Sequence, residues 1–217
     1  MMLVLQKIAR VAVIGGALIV AGTHNGHAQQ PASNANAQSQ VYLLRGLLNI
    51  FSLGMDGLAD KLKPHGFEPT ISSWEFGSTI TDRIVSEYSS GKKGPIFVIG
   101  HSLGANTTFD IANGLHAQGI PVNLIVTFDP TIPQPVPANV DRFINFYAQD
   151  GFGHRVAPGP GFTGELDNLD FSSDKSIDHT NIDALDRFHQ FVIARMLEIT
   201  APPPAHQQHQ PHRPHRR

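Results

Sequence analysis

Pro95-Ile96-Phe97-Val98-Ile99-Gly100-His101-Ser102-Leu103-Gly104 is the stretch on which the reading of this chain turns. A short apolar run, suited to a buried strand, ends in Gly-His-Ser-Leu-Gly, and a helix-competent segment follows at once. A serine in so sharp a strand-to-helix turn holds strained backbone angles, and glycines on either side let strand and helix pass closely. The turn lifts the Ser102 hydroxyl clear of the sheet. It also aims the N-terminus of the next helix at the hydroxyl, where developing negative charge is stabilised. The pattern reads as a nucleophile elbow.

Outward from the elbow, apolar runs alternate with helical periodicity. Val41-Tyr42-Leu43-Leu44 reads as a strand, Asp56 to Leu62 as a helix, and Thr70 to Trp74 as a second strand. Ile80, Ile84, Val85 and Tyr88 recur at helical intervals up to Gly91. Beyond Ser102, Ala105, Phe109, Ala112 and Leu115 mark one face of a helix ending near Gly119. Val122–Phe128, Asp141–Tyr147 and Glu165–Phe171 supply three more strands, and Asn181–Ile199 reads as a final amphipathic helix. Apolar strands alternating with helices predict an α/β domain whose mainly parallel sheet is covered on both faces. Ligands of such sheets sit beyond the carboxyl ends of the strands, where Gly46, Ser102, Asp129 and Asp150 all fall.

Of the 217 residues, 41–200 form the candidate folded domain. Lys7 and Arg10 precede an apolar stretch from Val11 to Ala21, and Gly26-His27-Ala28 offers small residues for a signal peptidase. Residues 1–28 therefore read as a secretory signal peptide cleaved after Ala28, with an uncleaved anchor as the alternative. The apolar core is short and Gly-interrupted for a membrane span. Residues 29–40 are Gln/Asn/Ala/Ser-rich and read as a disordered linker, and 201–217 as a disordered Pro/His/Arg-rich tail. The chain has no cysteine, which excludes disulfides and thiolate metal sites and suits a bacterial periplasmic or extracellular protein resting on its packed core. Residues 41–200 carry 18 acidic residues against 11 Lys/Arg, a formal charge of −7. So acidic a body argues against nucleic acid as the main partner.

A serine hydroxyl needs a base within hydrogen-bond reach and a third group holding that base in the right tautomer. Two carboxylates end strands after the elbow: Asp129, followed by Pro130, and Asp150, at the end of the next strand. Either could equally cap a turn. For the base, His179 lies in a polar loop just before the last helix, and chain order favours it. His154, in a Gly-rich loop, is its rival. His189 falls within the last helix and reads as structural, and His101 as packing beside the elbow. Preorganised N–H donors for an oxyanion are expected from the backbones of Leu103, at the helix start, and Leu47, after Gly46. The apolar segment 49–55 either lines the cleft for a greasy group or packs in the core.

These residues resemble the α/β-hydrolase superfamily over 41–200. Gly100-His101-Ser102-Leu103-Gly104 is similar to its elbow, and the serine–acid–histidine order is the one the resemblance implies. Phe128-Asp129-Pro130 looks like the Leu-Asp-Pro segment carrying the acid in pancreatic-type lipases, which ranks Asp129 ahead of Asp150. The domain is small: its first strand corresponds to the family's third, and no insertion is long enough for a large lid. The resemblance implies a serine hydrolase of the lipase/esterase kind, without metal or organic cofactor, acting on a small ester or lipid, and the signal peptide adds export. A thioesterase or amidase, and a non-catalytic envelope binding protein, are the alternatives. The oligomeric state is left open.

Overall fold

Strands β1 (Gln40–Arg45), β2 (Pro69–Ser73), β3 (Ile96–His101), β4 (Leu124–Phe128), β5 (Arg142–Tyr147) and β6 (Glu165–Asp170) pair in the order β2-β1-β3-β4-β5-β6, every pair parallel. Helices α1 (Asn34–Gln38), α2 (Gly54–Leu62), α3 (Gly77–Ser89), α4 (Leu103–His116) and α5 (Asp186–Thr200) complete the elements. The computed structural model describes residues 34–47, 53–148 and 152–202. The readings of 1–28 as a signal peptide, of Asp150 as a candidate acid, of the tail past Pro202 and of most of the apolar segment 49–55 lie outside the described residues.

Alternation along the strands divides the core in two, because successive side chains point to opposite faces. Val41, Leu43, Phe97, Ile99, Val126, Phe128 and Ile144 pack with Leu58 and Leu62 of α2 and with Phe188, Val192 and Met196 of α5. Tyr42, Leu44, Val98, Ile125 and Phe143 pack with Ile80 and Ile84 of α3 and with Phe109 and Leu115 of α4. Burial on both faces is what makes the inner strands read as unbroken apolar runs. The edge strand β6 is acidic and half-exposed, and its charges oppose pairing with another chain.

The structure corrects the sequence reading in two places. The segment read as a disordered linker up to residue 40 contains α1 and begins β1. Asn36 is buried and its amide donates to the His65 carbonyl at 2.8 Å, so tertiary contacts organise a polar run that composition alone marks as loop. The helix expected from Asn181 is also broken. A 3-10 turn, Ile182–Ala184, leads into extended Leu185 (φ −71°, ψ 123°), and α5 starts only at Asp186. Helical periodicity ran through the break because Ile182 and Leu185 are apolar on the same side of the chain.

Close backbone approach at the carboxyl end of β3 explains both elbow glycines. A Cβ on Gly100 would lie 2.4 Å from the Gly104 carbonyl oxygen, and one on Gly104 would lie 2.3 Å from that of Leu44 in β1. Gly104→Ala is expected to lower stability by about 1–3 kcal/mol, the usual cost of forcing extra volume into packed backbone. Urea unfolding of the variant checks this, and an unchanged midpoint would contradict the packing described.

Candidate active site

Ser102 and Asp129 are the two non-glycine residues with positive φ among the described residues, at 57° and 51°. Such angles are costly for L-residues and persist only where the surroundings enforce them. At Ser102 the enforcement comes from the sheet: its N–H donates to the Phe128 carbonyl at 3.0 Å, while its own carbonyl accepts from Asn106 in α4. At Asp129 the N–H donates to the Phe146 carbonyl at 2.8 Å. Both side chains thus leave the carboxyl edges of neighbouring strands β3 and β4, directed by hydrogen bonds to the next strand over.

His179 joins them. Its Nε2 lies 2.9 Å from Ser102 Oγ, and its Nδ1 lies 3.0 Å from Asp129 Oδ2. The other carboxylate oxygen of Asp129 accepts from the Ala148 N–H at 2.7 Å. Asp129 is fully buried, and Ser102 and the imidazole keep a little exposure. With Nδ1–H donating to the carboxylate, Nε2 is left as an acceptor for the serine proton, which is the geometry a hydroxyl nucleophile requires.

The loop carrying His179 is braced at both ends. Ile177 and Ile182 are buried in the core. Asp178 accepts from the Thr180 backbone N–H at 2.8 Å and from its hydroxyl at 2.6 Å, and the Asn181 amide donates to the Ser176 carbonyl. The Thr180 hydroxyl first, and then its backbone amide, hold the Asp178 carboxyl below its ordinary range.

Both expected oxyanion donors lie at this edge. Leu103 is the first residue of α4, so its N–H has no helical acceptor. Leu47 lies in the turn after β1, and β1 touches the start of α4 through Leu44 and Gly104. The rival base His154 is exposed and its carbonyl accepts from Asn145, while His179 is the imidazole on Ser102. His189 is structural, as its helical position suggested: it is buried, its Nε2–H donates to the Asp183 carbonyl at 2.6 Å, and its Nδ1 accepts from Lys61 at 2.9 Å. Burial is the main cause that lowers its pKa.

Sequence reasoning missed the residues that seat Asp129 and cover His179. A buried chain of hydrogen bonds runs from Thr127 to Asn145 at 2.9 Å and on to Asn168 at 3.0 Å, and it also takes the His154 carbonyl. It holds His154, and with it the neighbouring Gly153, in place. There Gly153 lies so close that a Cβ would sit 2.1 Å from Asp129 Oδ1. The ring of Phe152 covers His179 with centroids 4.8 Å apart. A polar residue inside an apolar strand, as at Asn145, was the available signal.

Also unforeseen is Asp183, a carboxyl buried beside His101. Burial raises it from 3.8 to about 7. The folded chain therefore keeps a proton that the unfolded chain releases, and the stability this proton confers is full below about pH 4 and lost as pH rises through about 7. Asp183→Asn removes the titration, so the melting temperature of the variant relative to the parent is expected to climb between pH 4 and pH 8. A difference that stays constant across that range would contradict the raised pKa.

The described residues contain no group of three or more His, Cys, Asp or Glu side chains arranged to hold a metal ion. They also contain no helix long and apolar enough to cross a membrane.

Comparison with known proteins adds the following. The thioesterase-domain family model matches residues 64–141, which hold the elbow and Asp129 but not His179. No curated protein sequence matches the chain. Among solved structures, RedJ with a polyethylene glycol molecule in its active site is similar at 12% identity and a TM-score of 0.50, over 74% of this chain and 94% of that one. RedJ is a thioesterase of the prodiginine biosynthetic pathway in Streptomyces coelicolor. An acetyl xylan esterase is similar at 12% identity with a TM-score of 0.45, over 76% of this chain and 99% of that one. A putative α/β-superfamily hydrolase from Xanthomonas campestris pv. campestris is similar at 14% identity with a TM-score of 0.40, over 73% and 96%. The all-parallel sheet with its serine elbow shares its fold with RedJ.

Proposed function

We propose that this chain of α/β-hydrolase fold is an exported serine hydrolase cleaving carboxylic esters of apolar acyl groups, or lipids, through an acyl-enzyme on Ser102. The observation that carries the reading is the continuous line from Ser102 Oγ through His179 to buried Asp129, with hydrogen bonds of 2.9 and 3.0 Å. Ser102 Oγ attacks the carbonyl carbon while His179 Nε2 takes the hydroxyl proton. Asp129 holds the ring by Nδ1–H and stabilises the imidazolium that forms. The oxyanion gathers against the N–H groups of Leu103 and Leu47, backed by the N-terminus of α4. Its collapse expels the alcohol, which leaves with the proton from His179. A water deprotonated by the same ring then releases the acid and restores Ser102.

The distribution of apolar surface supports a greasy acyl group. Leu47, Leu53, Phe76, Ile132 and Phe152 are exposed, and each lies on a segment leaving the carboxyl edge of the sheet. Exposed apolar side chains on the segments that leave this edge, with the Phe152 ring against His179, suit an acyl chain or a lipid. Export rests on the Lys7/Arg10 region, the apolar stretch and Gly26-His27-Ala28. The thioesterase-family match over 64–141 favours a second reading, thioester cleavage by the same groups. A chain exported from the cytoplasm leaves acyl-thioester pools behind, which ranks esters first.

Ser102→Ala is expected to lower kcat/KM on nitrophenyl esters roughly 10⁴-fold or more while the circular dichroism stays that of the parent. A variant turning over at the parent rate would end the enzymatic reading. Rates over a series of graded acyl length, each acid offered as ester and thioester, order the two substrate classes. The ester is expected to lead, and faster thioesters at every length would reverse the ranking.

A further inference from the structure

A second pair of buried titratable groups meets His179, and the ester chemistry leaves it unused. The side chains of His101 and Asp183 are each 1% exposed. His101 Nε2 lies 2.8 Å from the His179 carbonyl oxygen, and the two rings are 4.9 Å apart. On its other side, His101 Nδ1 lies 3.8 Å from Asp183 Oδ2. Neither carboxyl oxygen of Asp183 has a hydrogen-bond partner among the described residues. The first residue of α2 walls it in, since a Cβ on Gly54 would lie 2.6 Å from that same Oδ2.

Two requirements meet here. The His179 carbonyl can only accept, so His101 must carry its proton on Nε2, and a neutral imidazole then presents Nδ1 as an acceptor. Neither carboxyl oxygen completes a hydrogen bond among the described residues, although the Asp183 and Gly54 amides lie near, so a buried carboxylate is costly there, whereas a protonated carboxyl facing Nδ1 has an acceptor in reach. We propose that His101 and Asp183 share one proton and act together as positioning residues: Asp183 donates to His101 Nδ1, which keeps the ring hydrogen on Nε2, and Nε2–H holds the His179 carbonyl so that its imidazole stays on Ser102 and Asp129. The proposal rests on the reading of Ser102, His179 and Asp129 as the catalytic groups. The separation of 3.8 Å closes to hydrogen-bond length with a shift of about 1 Å.

The electrostatics agree with a proton resting on the carboxyl. Burial pushes Asp183 up to about 7; its own amide, His179 and the Gly54 amide oppose this, and Asp56 adds to it. Burial and then His179 bring His101 down to about 4. Among the described residues, these other charged or titratable groups face the pair. Asp56 on α2 is ion-paired with Arg45 from β1, His189 on α5 holds the Asp183 carbonyl with Lys61 behind it, and Asp129 stands on the far side of His179. When the shared proton leaves at alkaline pH, the remaining ring hydrogen is drawn to Nδ1, facing the carboxylate. Nε2 then turns a lone pair on the His179 carbonyl, and the hold is lost.

The test compares the pH–rate profiles of the full chain and its variants on a nitrophenyl ester, with Ser102→Ala as the control for the underlying reading. The parent is expected to lose kcat at alkaline pH. Asp183→Asn, whose amide donates at every pH, is expected to lack that limb and to keep kcat at neutral pH within about threefold. His101→Phe is expected to lose roughly ten- to hundredfold in kcat with KM little changed, as for misplacement of a catalytic group. His101→Gln, which restores a donor to the carbonyl, should recover most of that loss and show no alkaline limb. An alkaline limb retained in Asp183→Asn, or an unchanged kcat in His101→Phe, would overturn the proposal. NMR of the imidazole nitrogens reads the tautomer without activity: the His101 hydrogen should sit on Nε2 on the acid side of the Asp183 titration at about 7, and move to Nδ1 in the parent only as pH rises through it. A hydrogen on Nδ1 while Asp183 is still protonated, below that titration, ends the proposal whatever the rates. A Ser102→Ala variant as active as the parent would instead defeat the catalytic reading, with the tautomer result standing by itself.

Discussion

The end of β3, the start of α4 and the end of β1 touch backbone to backbone at Gly100 and Gly104, and the rest of the site follows from that contact. With no side chain between them, the strand can turn into the helix within one residue. That residue, Ser102, is left at φ 57° with its hydroxyl above the sheet edge and the first turn of α4 behind it. The strain is tolerable because hydrogen bonds on both sides fix the peptide, one to Phe128 in β4 and one from Asn106 in α4. A parallel sheet makes this economical: every strand delivers its last residue to the same edge, so a serine from β3 and an aspartate from β4 arrive as neighbours.

The histidine has no such scaffold, since it comes from a loop. The fold compensates by bracing. Ile177 and Ile182 sink into the core on either side of it, Asp178 and Asn181 close turns around it, and the His101 ring meets its carbonyl. The polar chain from Thr127 through Asn145 to Asn168 does the same for the segment behind Asp129. The positions of Ser102, His179 and Asp129 are therefore held by groups several residues away from them, through the hydrogen bonds those groups make.

Much of this was legible in the chain. Apolar runs for β1, β3, β4 and β5, helical spacing for α2 to α4, and the glycines around Ser102 are local patterns with local causes. The α1 segment was misread because its order comes from a contact with His65, a partner some thirty residues away. The start of α5 was misread because Ile182 and Leu185 keep the apolar period across a break in the backbone. Asp183 carried no signal in the chain, and only its packing against Gly54 and His101 makes it a buried acid.

By itself, the sequence determined that a serine sits between a buried strand and a helix at the ligand edge of an α/β sheet. Glycine's missing Cβ and the apolar period act on neighbouring residues and need no knowledge of the rest. Which acid and which histidine reach that serine was decided by tertiary structure, because residues 129 and 179 come into line with it only when strand order, turn geometry and core packing are all in place. Distance along the chain carries no information about distance across the sheet edge.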